Sequence, residues 1–363
     1  MNPSPTMFAV VTDALGGHGG IAQYNRDFLR ALADVGAVSS ITILPRQAPD
    51  VFVMPERIRQ TPARRGRIVY SIAALRRALF RPVDLVFCGH LFMAPLAALI
   101  ARLKGAKLIV QAHGVEAWPR PSRLQRAALE SADLVLCVSR YTRAAVLSWA
   151  TIAPERVLVV SNTVEKAFTP GDGSTTRAVL GVENKRVLLT VGRMDSRQRY
   201  KGQDRVITAI PYIVAQGHDV EYLVVGEGGD RARLEALARD AGVSERVRFL
   251  GAIGLQSLIE IYRMADLFVM PSTGEGFGIA FLEAMASGTP ALGLDVAGAR
   301  DALADGELGT AVSEAEIPVT IARLLAQPKP DPGALAAAVQ GRFGRETFAA
   351  GVRTALNRLI EGT

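Results

Sequence analysis

Glu275-Gly-Phe-Gly-Ile-Ala-Phe-Leu-Glu283 sets two carboxylates eight residues apart, the first followed at once by Gly-Phe-Gly. Ahead of it runs Ala265-Asp-Leu-Phe-Val-Met-Pro-Ser272, an apolar run closed by proline. Behind it runs Ala284-Met-Ala-Ser-Gly-Thr-Pro290. The order is strand, tight glycine loop, helix. Such a junction aims backbone N–H groups and the positive end of a helix dipole at an anion. A carboxylate in that loop fits a hydroxylated ligand better than a bare phosphate, and sugars and riboses carry vicinal hydroxyls.

The pattern repeats outward. Short apolar runs rich in β-branched residues begin near Phe8, Ile41, Leu85, Lys107 and Leu134. A second series begins near Arg186, Glu221, Val247, Leu267 and Pro290. Helical patterns separate them. Continuous apolar strands alternating with amphipathic helices predict parallel sheets covered on both faces, and two series predict two doubly wound α/β domains. A chain of 363 residues is too long for one ordinary core. The aperiodic stretch Ala167-Phe-Thr-Pro-Gly-Asp-Gly-Ser174 places the boundary. The expected domains are residues 1–166 and 167–344, with a helix over about 345–363 packing back on the first.

Composition narrows the classes. Hydrophobic and charged contents of 49% and 21% are globular. Cys88 and Cys137 lie inside apolar runs, as buried free thiols of a reducing compartment would. The segment Met1–Val11 lacks the basic and long apolar regions of a signal peptide, and no uncharged apolar stretch reaches 18 residues. The expected location is cytoplasmic, peripheral on the inner face of the membrane. Residues 51–150 hold 16 Lys/Arg against 5 Asp/Glu, a surplus of 11, although the whole chain carries only +7. A basic half suits nucleic acid, anionic lipid or diphosphates. No zinc-finger, RNA-recognition or homeodomain pattern is present, so nucleic acid is not expected.

Three more loops follow strands in the same way. Val11-Thr-Asp-Ala-Leu-Gly-Gly-His-Gly-Gly-Ile-Ala-Gln-Tyr24 carries Gly16, Gly17, Gly19 and Gly20 ahead of a helix. It matches neither the dinucleotide fingerprint nor Walker A. Val191-Gly192-Arg193 leads through Arg197 and Arg199 to Lys201-Gly202, where two fixed cations can hold a diphosphate. Arg197 and Arg199 themselves suit plain surface charge. Val225-Gly226-Glu-Gly-Gly-Asp230 is the third. His113, in Gln111-Ala-His-Gly-Val-Glu-Ala-Trp118, stands just past a strand, where open α/β sheets bind ligands. The chain contains no Asp-x-Asp, so no metal site or cofactor is expected and Arg/Lys would take that role.

Together these pieces resemble glycosyltransferase family 4, the retaining group with the GT-B fold, over nearly the full length. The matching residues are Gly19-Gly20-Ile21, His113-Gly114, Val191-Gly-Arg193 with Lys201-Gly202, Val225-Gly-Glu-Gly228, Val247-Arg-Phe-Leu-Gly251, Glu275-Gly-Phe-Gly278 and Glu283 to Pro290. The resemblance implies two Rossmann-like domains facing each other across a cleft. It implies a catalytic set of His113, Arg193, Lys201 and Glu275. Glu283 would hold the donor ribose, Phe277 and Gly278 would offer N–H groups to the sugar, and Leu250 would lie near the base. Gly17, Gly19, Gly20, Gly192, Gly226, Gly276 and Ile279 complete the donor contacts. Two departures stand out: the eight-residue spacing from Arg193 to Lys201, and Ser-Asn-Thr at 161–163 in place of Pro-Asn-Gly. The long Arg-Tyr-Lys-Gly version resembles mannosyltransferases of bacterial exopolysaccharide assembly. That implies GDP-mannose as donor, a polyprenyl-diphosphate-linked oligosaccharide as acceptor, and metal-independent retention. A UDP-glucose or other UDP-sugar transferase with a soluble acceptor is the enzymatic alternative, and a non-catalytic nucleotide-sugar-binding protein is the alternative of another class. The basic segment with Arg64, Arg65, Arg67, Arg76, Arg77 and Arg81 suits an anionic membrane surface or a solvated helix face equally.

Overall fold

The computed structural model describes residues 4–50 and 53–361. It divides into two compact units. One comprises the described residues up to Thr163 together with those from Glu346 onward; the other is Val164–Arg345.

The first unit holds a seven-stranded, wholly parallel sheet. In chain order its strands are β1 (Thr6–Val11), β2 (Ser40–Pro45), β3 (Ile58–Gln60), β4 (Leu85–Cys88), β5 (Lys107–Ala112), β6 (Leu134–Cys137) and β7 (Val157–Val159). Their spatial order is β3-β2-β1-β4-β5-β6-β7. The second unit holds β8 (Arg186–Val191), β9 (Val220–Val225), β10 (Val247–Gly251), β11 (Leu267–Met270), β12 (Ala291–Leu294) and β13 (Thr310–Val312), ordered β10-β9-β8-β11-β12-β13. Both are doubly wound sheets whose order reverses beside the first strand. That reversal makes a crevice at the carboxyl ends of β1/β4 and of β8/β11. The α/β class read from the alternating pattern is therefore the observed one.

Burial explains the apolar strands. β4, β6, β9, β11 and β12 are buried at every position, since helices cover both faces. β9 nevertheless contains Glu221, 2% exposed. Lys185 Nζ and Arg248 each reach it at 2.7 Å, so the buried charge is paired on both oxygens. β3, β7 and β13 have no counterpart among the expected strands. Each is three residues long and lies toward a sheet edge, too short for alternation to show in sequence.

The C-terminal helix Arg345–Glu361 contributes to the first unit: Phe348 meets the Tyr24 ring edge-on at 5.8 Å. Val164, the first residue of the second unit, donates its N–H to Phe343 O at 3.2 Å. Cys88 and Cys137 are buried free thiols, and burial pushes Cys88 up to about 12.

Candidate active site

In the second unit the site is built at the reversal between β8 and β11. These strands pair only through Leu267↔Leu188 and Phe268↔Leu189. Beyond that point the Thr190 hydroxyl donates to Val269 O and accepts from Tyr222 Oη at 2.7 Å. Side-chain bonds thus hold the two strands where ladder pairing stops.

Two loops leave the open end. The loop after β8 carries Gly192, exposed Arg193, then a 3₁₀ segment Ser196–Lys201 capped by Asp195. The seven residues between Arg193 and Lys201 are held at both ends. Met194, 2% exposed, anchors the start, and its backbone exchanges bonds with Glu227 O and Asp230 N at 2.8 Å each. Arg199 Nε reaches the buried Asp230 carboxylate at 3.0 Å. Arg199 is therefore a loop anchor and not plain surface charge. Arg197 instead pairs with Asp195 at 2.9 Å while 88% exposed, as a surface residue does. Arg197, with Arg193 a lesser contributor, holds the Asp195 carboxyl down at about 2.

The loop after β11 carries Glu275 and Gly276–Gly278, then the helix Ile279–Ala286. Gly278, at φ 102°, caps that helix through its backbone alone. Only glycine takes this conformation cheaply, and it leaves the first N–H groups without a side-chain cap. Phe277 is buried, edge-on to Phe343 at 5.6 Å. The two loops meet where Lys201 Nζ lies 2.7 Å from Glu275 Oε1, with side chains 15% and 13% exposed. Lys201 also sits under Gly192, whose hypothetical Cβ would touch its Cδ at 3.3 Å.

Close backbone approach fixes the glycines. A Cβ on Gly226 would fall 2.3 Å from Gly192 O, with φ at 130°, so the loops after β8 and β9 interlock. Gly226 N also donates to Gly251 O at 2.8 Å, tying in the end of β10 beside the partly buried Leu250.

Glu283 lies on the helix and Glu275 in the loop ahead of it. Tyr262 Oη donates to Glu283 Oε2 at 2.9 Å. Burial pushes the Glu283 carboxyl up to about 7; the tyrosine bond opposes the rise and Glu165 adds to it. The two glutamates thus differ in kind, one paired with a cation and one buried with its carboxyl raised to about 7.

Taken by itself, the first unit places its candidate residues at the ends of β1, β4 and β5. Gly19, φ 84°, caps the helix Gly20–Asp34 without a side-chain bond. Gly17 is packed so that a Cβ would clash with Asp13 and Ala22 at 2.8 and 2.9 Å. His113 Nε2 lies 2.9 Å from Gly89 O, and Tyr24 meets its ring edge-on at 5.4 Å. A carbonyl only accepts, so Nε2 carries the proton and Nδ1 keeps its lone pair. Burial lowers His113 to about 4, against the opposing pull of Glu116. The imidazole is neutral at pH 7. Glu116 Oε1 also accepts the His113 N–H at 2.6 Å.

Tyr262, Glu116, Arg199 and Gly298 were not among the expected site residues. Gly298 donates its N–H to Glu275 O at 2.9 Å, and its Cβ would fall 2.0 Å from Gly276 O. Each lies in a helix or loop of ordinary composition, and only three-dimensional contact reveals it. Among the described residues no group of three or more His, Cys, Asp or Glu stands together as a metal ligand set, and no helix is long and apolar enough to cross a membrane.

Residues 174–339 match the model of glycosyl transferases group 1, and residues 18–168 that of glycosyltransferase family 4. The chain is 34% identical over 255 residues to a GDP-mannose-dependent alpha-(1-6)-phosphatidylinositol monomannoside mannosyltransferase of Mycolicibacterium smegmatis, covering 65% of this chain and 66% of that protein. It is 34% identical over 230 residues to the monoacylated phosphatidylinositol monomannoside mannosyltransferase of Corynebacterium glutamicum, covering 58% of each. The chain thus spans just under two thirds of the first relative's length and less of the second's. It is 31% identical to D-inositol 3-phosphate glycosyltransferase 1 of Catenulispora acidiphila, covering 76% of this chain and 71% of that one. Anabaena HepE in complex with UDP shares the fold at TM-score 0.77 and 20% identity, covering 97% and 99%. So does sucrose-phosphate synthase from Thermosynechococcus elongatus at 0.79 and 22%, covering 99% and 100%. The paired Rossmann-like sheets, the loops that close on Lys201 and Glu275, and these matches agree: the chain is a glycosyltransferase of the group 1 and family 4 type.

Proposed function

We propose that the protein transfers mannose from GDP-mannose, with retention at the anomeric carbon, to a lipid-linked acceptor in bacterial surface polysaccharide or glycolipid assembly. The observation that carries this reading is the Lys201–Glu275 contact at the β8/β11 reversal, with Arg193 on the same loop. Two cations beside an uncapped helix N-terminus suit a diphosphate leaving group and stabilise its charge as the sugar C–O bond breaks. No metal is needed for that charge. Glu275 and the Gly276–Gly278 N–H groups are then available to sugar hydroxyls, and Glu283 to the ribose. The acceptor oxygen attacks on the leaving-group face and passes its proton to the departing phosphate oxygen. In the first unit, neutral His113 offers Nδ1 as a hydrogen-bond acceptor for a substrate hydroxyl. Mannose is favoured because the two first relatives are named as GDP-mannose-dependent.

Incubation with radiolabelled GDP-mannose, UDP-glucose and UDP-galactose, each with a panel of lipid and soluble acceptors, tests the reading. The expected result is label in a lipid product from GDP-mannose alone. Transfer from a UDP-sugar to a soluble acceptor would replace it with the soluble-acceptor alternative, and binding without turnover would mark a non-catalytic binder.

A further inference from the structure

The first unit carries a cavity of about 570 Å³ lined mainly by apolar side chains. It lies between the helices Arg67–Leu79 and Ala94–Lys104 and the start of Arg123–Glu130, with Leu75, Leu96, Leu99 and Leu124 in its walls. Leu99 and Leu124 are 45% and 74% exposed. A second apolar cavity, of about 500 Å³, shares Pro95, Leu99 and Leu124 with it and extends to Gly105. The two therefore form one groove along the helix Ala94–Lys104, whose 11 residues span roughly 16 Å.

The other end of the groove is basic. A third cavity, of about 470 Å³, shares Arg46 with the first and is lined by Thr12, Gln47, Arg65 and Gly66. Arg46 Nε is buried there without a hydrogen-bond partner. Arg46, Arg65 and Arg67 have no acidic partner among the described residues. Arg67 and Arg46 stack over Phe92 at 5.1 and 5.9 Å, which places the guanidiniums at the border of the two cavities. Gly66, φ 85°, lines the same polar cavity and caps the helix Arg67–Leu79 with no side-chain bond, which leaves the helix start without a side-chain cap. Unpaired guanidiniums and an uncapped helix start suit a phosphate or diphosphate. An apolar groove leading away from them suits one hydrocarbon chain attached to it.

We propose that this groove binds the chain of a single-chain lipid phosphate, with the phosphate held by Arg46, Arg65 and the Gly66–Arg67 backbone. In a bilayer-docking face exposed side chains dip into lipid; here one chain leaves the lipid and lies against Leu96 and Leu99. The proposal deepens the reading of a lipid-linked acceptor and rests on it for what becomes of the bound lipid. Binding itself is measured without donor, so the two fail separately.

The test titrates farnesyl diphosphate, dodecyl phosphate, farnesol and inorganic diphosphate into the full chain by calorimetry, below micellar concentration. An Arg193→Ala/Lys201→Ala background removes the donor clamp. Farnesyl diphosphate should bind at least tenfold tighter than farnesol or inorganic diphosphate. Its affinity relative to dodecyl phosphate separates an isoprenoid source from an acyl one. Leu99→Glu and Leu124→Glu, at exposed positions the fold tolerates, should weaken farnesyl diphosphate about tenfold and leave inorganic diphosphate unchanged. Arg65→Ala should weaken both. GDP-mannose binding by chains carrying only Leu99→Glu or Leu124→Glu should not move, which separates this site from the donor reading. Equal affinity for farnesyl diphosphate and inorganic diphosphate overturns the proposal, and so does indifference to Leu99→Glu. Binding only to anionic vesicles, with no single-chain ligand bound, would replace it with a bilayer-docking face.

Discussion

Lys201 Nζ and Glu275 Oε1 stand 2.7 Å apart across the point where the strand order of the second unit reverses. The two charges that the proposed function assigns to a diphosphate and a sugar neutralise each other in the structure. Each partner holds the other's rotamer, and a donor would have only to exchange one ionic contact for others. Lys201→Ala should therefore lower turnover by about 10²–10³-fold, the scale of removing one preorganised transition-state contact. Glu275→Gln should cost a similar factor. The double variant should cost less than the product of the two, because the residues act as a unit. Steady-state kinetics on the four chains check this; simple multiplication of the factors would show that the two act independently.

Glu283, assigned to the donor ribose in the proposed function, carries a pH dependence of definite sign. Burial raises its carboxyl to about 7. Between its ordinary value and 7 the folded chain binds more protons than the unfolded one. Glu283 thus contributes stability that is present at low pH and is lost as pH rises through 7. Donor affinity should change oppositely, since only the ionised carboxylate accepts hydrogen bonds from a ribose on both oxygens. Calorimetric GDP-mannose titrations from pH 6 to 8 should show affinity rising, and Glu283→Gln should be flat over the same range.

His113 has the reverse linkage. Its imidazole is held neutral down to about 4 by burial. Between 4 and its ordinary value the unfolded chain binds more protons, so this stability is complete above about 6.5 and is lost as pH falls toward 4. Denaturant midpoints measured from pH 7 to 4 should fall in the native chain and fall less in His113→Phe. The same substitution removes the Nδ1 acceptor and should lower turnover by about tenfold or more, as loss of a neutral hydrogen bond in the transition state does.

Gly298 tests the support beneath Glu275. With a Cβ position 2.0 Å from Gly276 O, Gly298→Ala must displace the loop that carries the carboxylate. The expected cost is about 1–3 kcal/mol of stability, the range for forced overpacking, with a larger proportional loss of turnover. Equilibrium denaturation beside kinetics would check both, and an unchanged kcat would show that the loop relaxes without consequence.

Chelation tests the assignment of the diphosphate to Arg193 and Lys201. Transfer should continue in excess EDTA at a rate within about twofold of the untreated protein, because in the proposed function each fixed cation supplies a charge-assisted contact. A loss of more than tenfold that Mg²⁺ or Mn²⁺ restores would assign the diphosphate to a metal instead.

The sequence determined the parallel sheets, since fully buried strands such as Leu134–Cys137 and Leu267–Met270 carry an apolar residue at every position. It also determined the glycine-bearing strand ends, because positions such as Gly226 and Gly278 require backbone conformations that other residues resist. Strands of three residues stayed hidden, having too few side chains to show a period. Only tertiary structure decided which residues meet. Lys201 and Glu275 are 74 positions apart, Tyr262 and Glu283 are 21, and His113 and Gly89 are 24. Nothing in a local pattern encodes such pairings. The first and last follow from strand order, which brings β8 beside β11 and β4 beside β5 and so sets their loops against one another; the second follows from the packing of the helices Leu255–Met264 and Ile279–Ala286. The protonation states follow from the same source, because burial and the nearest partner, not residue type, set Glu283 near 7 and His113 near 4.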